Sequence, residues 1–474
     1  MFKYTVKRIL YFFPTLIAIS FLAFGLSKCT PGDPAKPPPP LSESKAASVN
    51  YEKDYQSRAE SYGLTGPTFY FELTSKAYPD TLHRIIQKDK RENWQTLISH
   101  YGNWEQISNY KNAIQATQFK LFEIPDSIGK ESVKKIRKQL NFLPILSKDK
   151  VITSRLNKIL KAYNSTPNLE KYIDKEILEL ELSYQNIKEK PTVSQLYIPT
   201  IHWYGFDNQY HNWITNFMIG DFGTSYKTSR PVASEIEDAV FWTFALMMLS
   251  IFIAYLTAIP LGVFSAKNKG LRFDTITTVT LFMLYSLPTF WVGTMLVVFF
   301  TTPEYGSWTD IFPSIGLGDL PSDAPFWNRF WETASHLILP VFCICYGALA
   351  FISRQMRGGM VNVIQQDYIR TARAKGLDEN QVIWKHAFRN SLFPIITLFA
   401  SLFPAVLAGS VVIEVIFNIP GMGKLTLASI LEQNYPVVFA ILMLAAVMTM
   451  IGMLVADILY AIADPRISFD KNRS

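Results

Sequence analysis

The sequence predicts an all-α integral membrane protein with six transmembrane helices and a mainly helical inserted domain outside the membrane. Composition is the first observation behind this prediction: of 474 residues, 49% are apolar, 14% are aromatic and 18% are charged, against about 25% charged in an average soluble domain. The second observation is that the charges crowd into residues 35–200 and nearly vanish from long stretches elsewhere. The chain therefore combines a lipid-facing part with a water-facing part.

Six stretches are long and apolar enough to cross a bilayer, whose hydrocarbon core of about 30 Å requires about 20 helical residues. They are Ile9 to Ser27, Ala239 to Ala266, Thr275 to Pro303, Thr333 to Ser353, Asn390 to Ile413 and Tyr435 to Ala456. The first stretch also allows a cleaved signal peptide, because basic residues precede it. The residues after it lack the small-x-small cleavage pattern, which favours a membrane anchor.

Prolines lie within the later spans. Each one either kinks its helix or is tolerated, as proline ordinarily is in membrane helices, and the sequence leaves both readings open. The five positions are Pro260, Pro288, Pro340, Pro394 and Pro404.

The orientation of the spans follows from the basic residues in their short connections, because Lys and Arg are retained on the cytoplasmic side. With the N-terminus inside, the inner segments hold sixteen Lys and Arg residues, and the two short outer loops hold two, Arg329 and Lys424. We therefore expect both termini in the cytoplasm and residues 28–238 outside.

The charged block divides the chain into segments. A proline-rich spacer at residues 35–40 marks a boundary, and helical periodicity recurs in Ser132 to Leu143, Val151 to Tyr163 and Leu169 to Ile187. We expect an N-terminal tip and first span (1–34), an inserted helical domain (35–200), an external segment (201–237), a transmembrane core (238–464) and a cytoplasmic tail (465–474).

Four aromatic residues of the inserted domain are expected in its core rather than on a binding surface: Trp94, Tyr101, Trp104 and Tyr110.

Composition and motifs exclude several classes of function. The excess of 46 Lys and Arg over 39 Asp and Glu is too small to indicate a nucleic-acid-binding protein. The three cysteines and six histidines lack the spacing of a metal site, so no metal ligands are expected. No catalytic residues are expected, because no nucleophile and base lie at matching depth in the spans. The run Gly421 to Leu425 is no phosphate loop, because its first glycine and its Ser or Thr are missing.

The most informative segment connects the fourth and fifth predicted spans on the cytoplasmic side. An alanine-rich, charged run that ends in glycine predicts a short surface helix over 367–377. Because the run is polar nearly all round, we expect it to contact a partner protein, with Ala372 and Ala374 allowing close approach. The candidate residues are Asp367, Tyr368, Arg370, Thr371, Ala372, Arg373, Ala374, Lys375, Gly376 and Leu377.

This run, Asp-Tyr-Ile-Arg-Thr-Ala-Arg-Ala-Lys-Gly-Leu, is followed by His-Ala-Phe-Arg-Asn at 386–390 and by Pro394. Together they resemble the coupling-helix signature of permease subunits in bacterial ATP-binding-cassette importers, in the dipeptide, oligopeptide and nickel branch. Further motifs resembling that branch occur in matching order at 30–34, 220–225, 286–290, 414–417, 420–423 and 464–466. Arg370-Thr371-Ala372 stands where the broad importer motif has Glu-Ala-Ala, as is usual for the peptide branch, whereas the block 35–200 is ordinarily absent.

The resemblance implies the type I importer permease fold in the bacterial inner membrane. It implies a non-enzymatic subunit that forms the translocation pathway for peptides and couples it to ATP hydrolysis elsewhere. The expected partners are a second homologous permease, two ATPase subunits, an external substrate-binding protein and the lipid bilayer. The chain itself is expected to bind no cofactor, since ATP and Mg²⁺ are used by the ATPase subunits. Nickel or another small solute is the alternative cargo, and a membrane sensor or assembly protein is the alternative function.

The outer loops are expected to lie near the pathway. The candidate residues there are Gly220, Asp221, Gly223, Glu414, Pro420, Gly421 and Gly423. Glu414 and Asp457 are ionisable residues at the edges of apolar spans, where burial is costly enough to suggest a role. A structural role in an outer loop is favoured for Glu414, while helix packing and a functional role stay open for Asp457.

Overall fold

The computed structural model describes residues 2–30, 32–38, 45–125, 128–167, 169–306, 308–313, 315–321, 323–392, 395–396, 398 and 409–463. The chain divides into two compact units. We call Met1–Thr30 with Gly220–Ser474 the membrane unit, and Pro31–Ile219 the inserted unit.

The described elements are overwhelmingly helical. In chain order they are α1 (Phe2–Cys29), α2 (Lys45–Ser61), β1 (Phe71–Ser75), α3 (Lys88–Tyr101), α4 (Trp104–Leu121), α5 (Lys130–Phe142), α6 (Asp149–Asn164), α7 (Glu170–Glu189), β2 (Pro199–Trp203), α8 (Gln209–Met218), α9 (Val232–Lys267), α10 (Arg272–Ser286), α11 (Thr289–Phe300), α12 (Phe326–Ile364), α13 (Asp367–Ala374), α14 (Val411–Ile416), α15 (Met422–Leu431) and α16 (Tyr435–Ala463).

Four helices of the membrane unit are each long and apolar enough to cross a bilayer, over Arg8–Cys29, Val232–Lys267, Phe326–Ile364 and Tyr435–Val455. The pair α10 and α11 forms one more span if its two halves are counted together. These elements coincide with five of the six predicted spans and confirm a helical, multi-pass protein. The remaining predicted span, Asn390 to Ile413, lies largely outside the described residues.

The third predicted span is not one straight helix. Its halves α10 and α11 meet at an angle of 89°, and Pro288 lies at the break as the residue that precedes α11. Pro260 and Pro340 instead lie inside the unbroken helices α9 and α12. Proline therefore breaks one span and is tolerated in two others, while Pro394 and Pro404 lie outside the described residues.

The helices α9 and α12 pack closely because α9 presents small residues at every fourth position. Ala254, Ala258, Gly262 and Ala266 are all buried on this one stripe. A Cβ atom added at Gly262 would lie 2.7 Å from the Met356 side chain and 2.7 Å from the Ser353 carbonyl oxygen. Small residues at this spacing let membrane helices approach through van der Waals packing. Cys343 and Cys345 are buried in α12 as free thiols.

The first and last long helices of the membrane unit are joined by an ion pair. The Arg8 guanidinium lies 3.0 Å from the Asp457 carboxylate, and the Asp457 side chain is mostly buried. This pairing favours helix packing over a functional role for Asp457, because pairing reduces the cost of burying a charge near a lipid phase.

The inserted unit has its own hydrophobic core, built mainly from α3 to α7. Helices α5, α6 and α7 coincide with the three periodic runs to within three residues at each end. Trp94 and Tyr110 are fully buried in this core, and Tyr101 and Trp104 pack against it, which confirms their structural role. The sequence did not predict the antiparallel pair β1 and β2, in which Phe71 lies opposite Trp203.

Candidate coupling site and outer loop cluster

The helix α13 forms the candidate coupling site. It begins after Gln366 and ends at Ala374, three residues before the predicted boundary. Gly376 adopts a left-handed conformation with φ of +77°, and its amide donates to the Arg373 carbonyl oxygen at 3.0 Å. Glycine stabilises such a C-terminus because it has no Cβ to clash in this conformation.

One stripe of α13 is attached to the body of the membrane unit. Ile369 is 0% exposed and Ala372 is 8% exposed, and both belong to the core cluster that contains Met356 of α12. The other candidate residues of the run are exposed: Asp367, Tyr368, Arg370, Thr371, Arg373, Ala374, Lys375, Gly376 and Leu377. A short helix anchored along one stripe thus presents a polar surface to its surroundings.

This geometry corrects one expectation about the two alanines. Ala374 is exposed, but Ala372 faces inward and packs within its own chain. Only Ala374 is thus placed to allow a partner to approach closely. The helix is also not polar nearly all round, because Ile369 and Ala372 form an apolar stripe.

Hydrogen bonds tie α13 to the segment that follows it. Arg373 donates from Nε and Nη2 to the two carboxylate oxygens of Glu379, at 3.0 and 2.7 Å, and this bond raises the pKa of the Arg373 guanidinium above its ordinary value. The side-chain amide of Asn390 donates to the Tyr368 hydroxyl at 2.7 Å. Between Glu379 and Asn390 the chain forms a π-helix over Val382–Ala387. This conformation is rare and is often found at functional sites.

Sequence reasoning missed an ion pair between Arg357, which lies ten residues before α13 and is partly exposed, and the buried Asp274. Arg357 of α12 donates from Nε and Nη2 to Asp274 of α10, at 2.6 and 2.7 Å. The same carboxylate accepts from the Ser265 hydroxyl at 2.5 Å and from the Gly270 amide at 2.9 Å. Because every bond goes to one carboxylate, Asp274 joins the end of α9, the start of α10 and the end of α12. The residues lie 83 positions apart in sequence, so no local pattern reveals the pair.

Three of the candidate loop residues, Glu414, Gly421 and Gly423, meet in one cluster. Glu414 is fully buried, and its carboxylate accepts from the Thr243 hydroxyl at 3.0 Å and from the Lys424 amide at 2.9 Å. A Cβ atom at Gly421 would lie 2.6 Å from this carboxylate, and one at Gly423 would lie 2.7 Å from the Val411 amide nitrogen. The glycines are thus required for the turn to close around Glu414, and the exposed Pro420 precedes it.

The backbone amides of this turn are already occupied. The Met422 amide donates to the Thr243 hydroxyl at 2.7 Å, and the Lys424 amide donates to Glu414. A phosphate loop needs free amides that converge on an anion. The turn is therefore built around its own carboxylate and supports a structural role for Glu414.

The candidate residues Gly220, Asp221 and Gly223 lie in a separate turn before α9. The Asp221 carboxylate accepts from the Gly223 amide at 2.9 Å, and both glycines have positive φ. Two residues further on, the Ser225 hydroxyl accepts from the Asn434 side chain at 2.8 Å. This turn is therefore held by the connection between α15 and α16, whereas the Glu414 cluster is held by α9.

Among the described residues, no group of three or more His, Cys, Asp or Glu side chains is placed to hold a metal ion.

Comparison with known proteins assigns the membrane unit. Residues 258–469 match the family model described as binding-protein-dependent transport system inner membrane component. The chain is 41% identical to the oligopeptide transport system permease protein AppB of Bacillus subtilis, over 262 residues that make up 55% of this chain and 80% of the relative. It is 34% identical to the dipeptide transport system permease protein DppB of Escherichia coli K12, over 56% of this chain and 81% of the relative.

A third relative is the inner membrane ABC transporter permease protein YejB of Escherichia coli O157:H7, which is 33% identical over 57% of this chain and 75% of its own length. The family match contains α13, the Asp274–Arg357 pair and the Glu414 cluster. The chain therefore belongs to the family of binding-protein-dependent transport system inner membrane components, the membrane permeases of ABC importers.

Proposed function

We propose that this chain is the permease subunit of an ATP-driven importer for peptides. The relatives named as oligopeptide and dipeptide permeases support the cargo class. The chain works with a second homologous permease, two ATPase subunits and an external substrate-binding protein, and residues 367–377 contact an ATPase. Catalysis and the binding of ATP and Mg²⁺ belong to the ATPase subunits.

The observation that carries this proposal is the one-sided attachment of α13. Because Ile369 and Ala372 are buried in the core cluster shared with α12, a force applied to the exposed side of α13 reaches the spans directly. ATP binding can drive the spans only by stabilising one of their arrangements more than another. A helix that both contacts the ATPase and is packed against the spans meets that requirement.

The topology is part of the same proposal. Both termini, the loop with Lys269 and the segment 365–390 lie in the cytoplasm of a bacterial inner membrane, and residues 28–238 lie outside it. The distribution of Lys and Arg in the short connections supports this orientation. It places α13 on the side where ATP is available and the inserted unit on the side where cargo arrives.

Charge reversal on the exposed side of α13 tests the proposal. Arg370, whose side chain is 73% exposed, is changed to Glu in a complex produced with its ATPases, second permease and binding protein. We expect loss of the ATPases on purification and at least a tenfold loss of labelled-peptide uptake. Lys269→Glu makes the same charge change at an exposed position in the connection between α9 and α10 and serves as the control, which retains both.

Two outcomes would contradict the proposal. Retention of the ATPases and of uptake in Arg370→Glu would exclude α13 as the coupling surface. Uptake of a nickel chelate or another small solute in place of peptides, with coupling intact, would replace the cargo while leaving the permease function standing.

A further inference from the structure

The positive charge of the inserted unit is concentrated on one helical hairpin. We define the basic hairpin as α5, α6 and the connection between them, Lys130–Asn164; it carries ten Lys and Arg residues and two acidic residues. The neighbouring α7 carries three basic and six acidic residues. The mild charge of the unit as a whole therefore conceals a strongly cationic surface.

Both acidic residues of the basic hairpin are already engaged by lysines. The Glu131 carboxylate lies 3.1 Å from the Lys135 ammonium, and the Asp149 carboxylate lies 3.1 Å from the Lys188 ammonium of α7. A shallow, open depression of about 610 Å³ on this surface is lined by Lys150, Lys158, Lys161 and Lys188 with Asp149, Thr153, Ser154 and Asn157. Six further lysines of the basic hairpin are exposed to solvent: Lys134, Lys138, Lys148, Lys150, Lys158 and Lys161.

The tip of the basic hairpin is apolar. Phe142, Ile145 and Val151 lie at or beside the turn between α5 and α6, and they are 36%, 45% and 37% exposed. The Arg155 guanidinium lies 4.5 Å from the centre of the Phe142 ring, and the exposed Lys148 lies between Ile145 and Val151 in sequence. The exposed apolar side chains thus include one in contact with a cation, and two exposed lysines, Lys148 and Lys150, lie next to them in sequence.

We propose that the basic hairpin binds the surface of the membrane that anchors the chain, through anionic phospholipid headgroups. Exposed lysines on the same hairpin as an apolar tip fit such a surface on both counts, because the cations bind headgroup phosphates and the apolar side chains enter the acyl boundary. An acidic protein surface would complement the lysines but would leave three exposed apolar side chains without a matching partner. Tethering to the membrane unit raises the local concentration of headgroups that the hairpin meets.

A fluorescent probe at the tip tests the proposal in the full chain. Ile145→Cys is labelled with an environment-sensitive dye after Cys29, the exposed native cysteine, is changed to Ser; the other two cysteines are buried. The protein is reconstituted in nanodiscs of phosphatidylcholine alone or with about one third phosphatidylglycerol. We expect a blue-shifted emission and quenching by spin-labelled lipid in the anionic discs, with at least a twofold loss of both at about 1 M salt.

Charge reversal distinguishes binding of the lysines to headgroups from mere nearness of the tip to the bilayer. The variant Lys148→Glu, Lys150→Glu and Lys158→Glu removes cations around the tip and should reduce quenching at least threefold in anionic discs. A matched variant, Lys53→Glu, Lys171→Glu and Lys175→Glu, reverses as many exposed lysines elsewhere in the inserted unit and should leave it unchanged. A dye at Leu178→Cys, an exposed apolar site on α7, should report water in every disc.

Three results would overturn the proposal. One is equal emission in neutral and anionic discs, and another is equal quenching in the two lysine variants with circular dichroism unchanged. The third is a blue shift that appears only when an external binding protein is added to neutral discs, which would identify an acidic protein as the partner. Because uptake of cargo is not measured, failure here leaves the proposed function unaffected, and failure of the proposed function leaves this test intact.

Discussion

Two alanines on α13 should respond to the same substitution in different ways. Ala372 and Ala374 are two residues apart on α13, but Ala372 is buried in the core cluster and Ala374 is exposed. We consider Ala372→Glu and Ala374→Glu, which introduce the same side chain at nearly the same place in the sequence. The first should damage the fold of the membrane unit, and the second should damage only the contact with a partner.

The magnitudes follow from the burial of the two sites. Glutamate at 372 adds a methylene and a carboxylate to packed surroundings, and overpacking costs about 1–3 kcal/mol. Protonating or partly exposing the buried carboxylate adds about 2–3 kcal/mol, since each unit of pKa shift corresponds to about 1.4 kcal/mol. The sum of about 4 kcal/mol lowers the melting temperature by roughly 10 °C. At 374 the cost stays below about 1 kcal/mol, from placing a negative charge at a helix C-terminus.

The assay compares the chain alone with the complete transporter. Thermal unfolding of the chain in nanodiscs, with the exposed Cys29 changed to Ser, is followed by the reaction of the buried Cys343 and Cys345 with a thiol-reactive dye. Ala372→Glu should unfold early, whereas Ala374→Glu should unfold with the wild type yet lose its ATPases on purification. Equal melting temperatures for the two variants would refute the assignment of faces on α13, and retention of the ATPases by Ala374→Glu would refute the contact.

Further predictions follow from individual contacts. Arg357→Met leaves the buried Asp274 carboxylate without its main partner and should destabilise the membrane unit by about 3 kcal/mol, whereas the double variant with Asp274→Asn should recover most of this loss in thermal unfolding. Gly423→Ala should misfold the turn around Glu414, because its Cβ would lie 2.7 Å from a backbone nitrogen; protease protection of the turn measures this, and Leu425→Ala nearby should stay protected. The Tyr184 hydroxyl and Lys188 lower the pKa of Asp149 below its ordinary value, so this contribution to stability is present above about pH 4 and is lost as the pH falls further. Acid unfolding followed by near-ultraviolet circular dichroism should show a smaller pH dependence in Asp149→Asn.

The sequence could predict features that depend on local periodicity. The long apolar runs correspond to α1, α9, α12 and α16, and the amphipathic runs of the charged block correspond to α5, α6 and α7. A helix forms its backbone hydrogen bonds within itself and buries either one stripe or its whole surface. The apolar pattern that identifies it is therefore contained in about 20 consecutive residues. The glycine stop after α13 is equally local, because it depends on the conformational freedom of Gly376.

Features that depend on distant residues could not be predicted in this way. The strands β1 and β2 are five residues each and pair across the helices between them. Arg8 and Asp457 lie 449 positions apart, and Thr243 and Glu414 lie 171 apart. The sequence around each of these residues gives no indication of its partner, because only the packing of the helices brings the two together.

The inward face of α13 belongs to this second group. Ala372 shares a helix face with Ile369 at the i, i+3 spacing, but the run does not specify whether that face packs within the chain or on a partner, because the packing depends on where Val382 and Ile383 of the π-helix complete the core cluster. The burial of Ala372 is therefore a property of the tertiary structure. Its correction changes the interpretation of any substitution there, from a lost partner contact to a lost core contact.

The contacts among α9, α10, α12 and α13 indicate which helices of the membrane unit are expected to move together. Helix α12 is unbroken from Phe326 to Ile364, and α13 begins three residues after it ends. Asp274 bonds α12 to α10 and to the end of α9, while the small stripe of α9 packs against α12. These contacts resist shear, so we expect α9, α10, α12 and α13 to move as one body. The 89° break beside Pro288 interrupts the backbone between α10 and α11, and we expect relative motion to concentrate there, since a broken helix offers fewer backbone hydrogen bonds against bending.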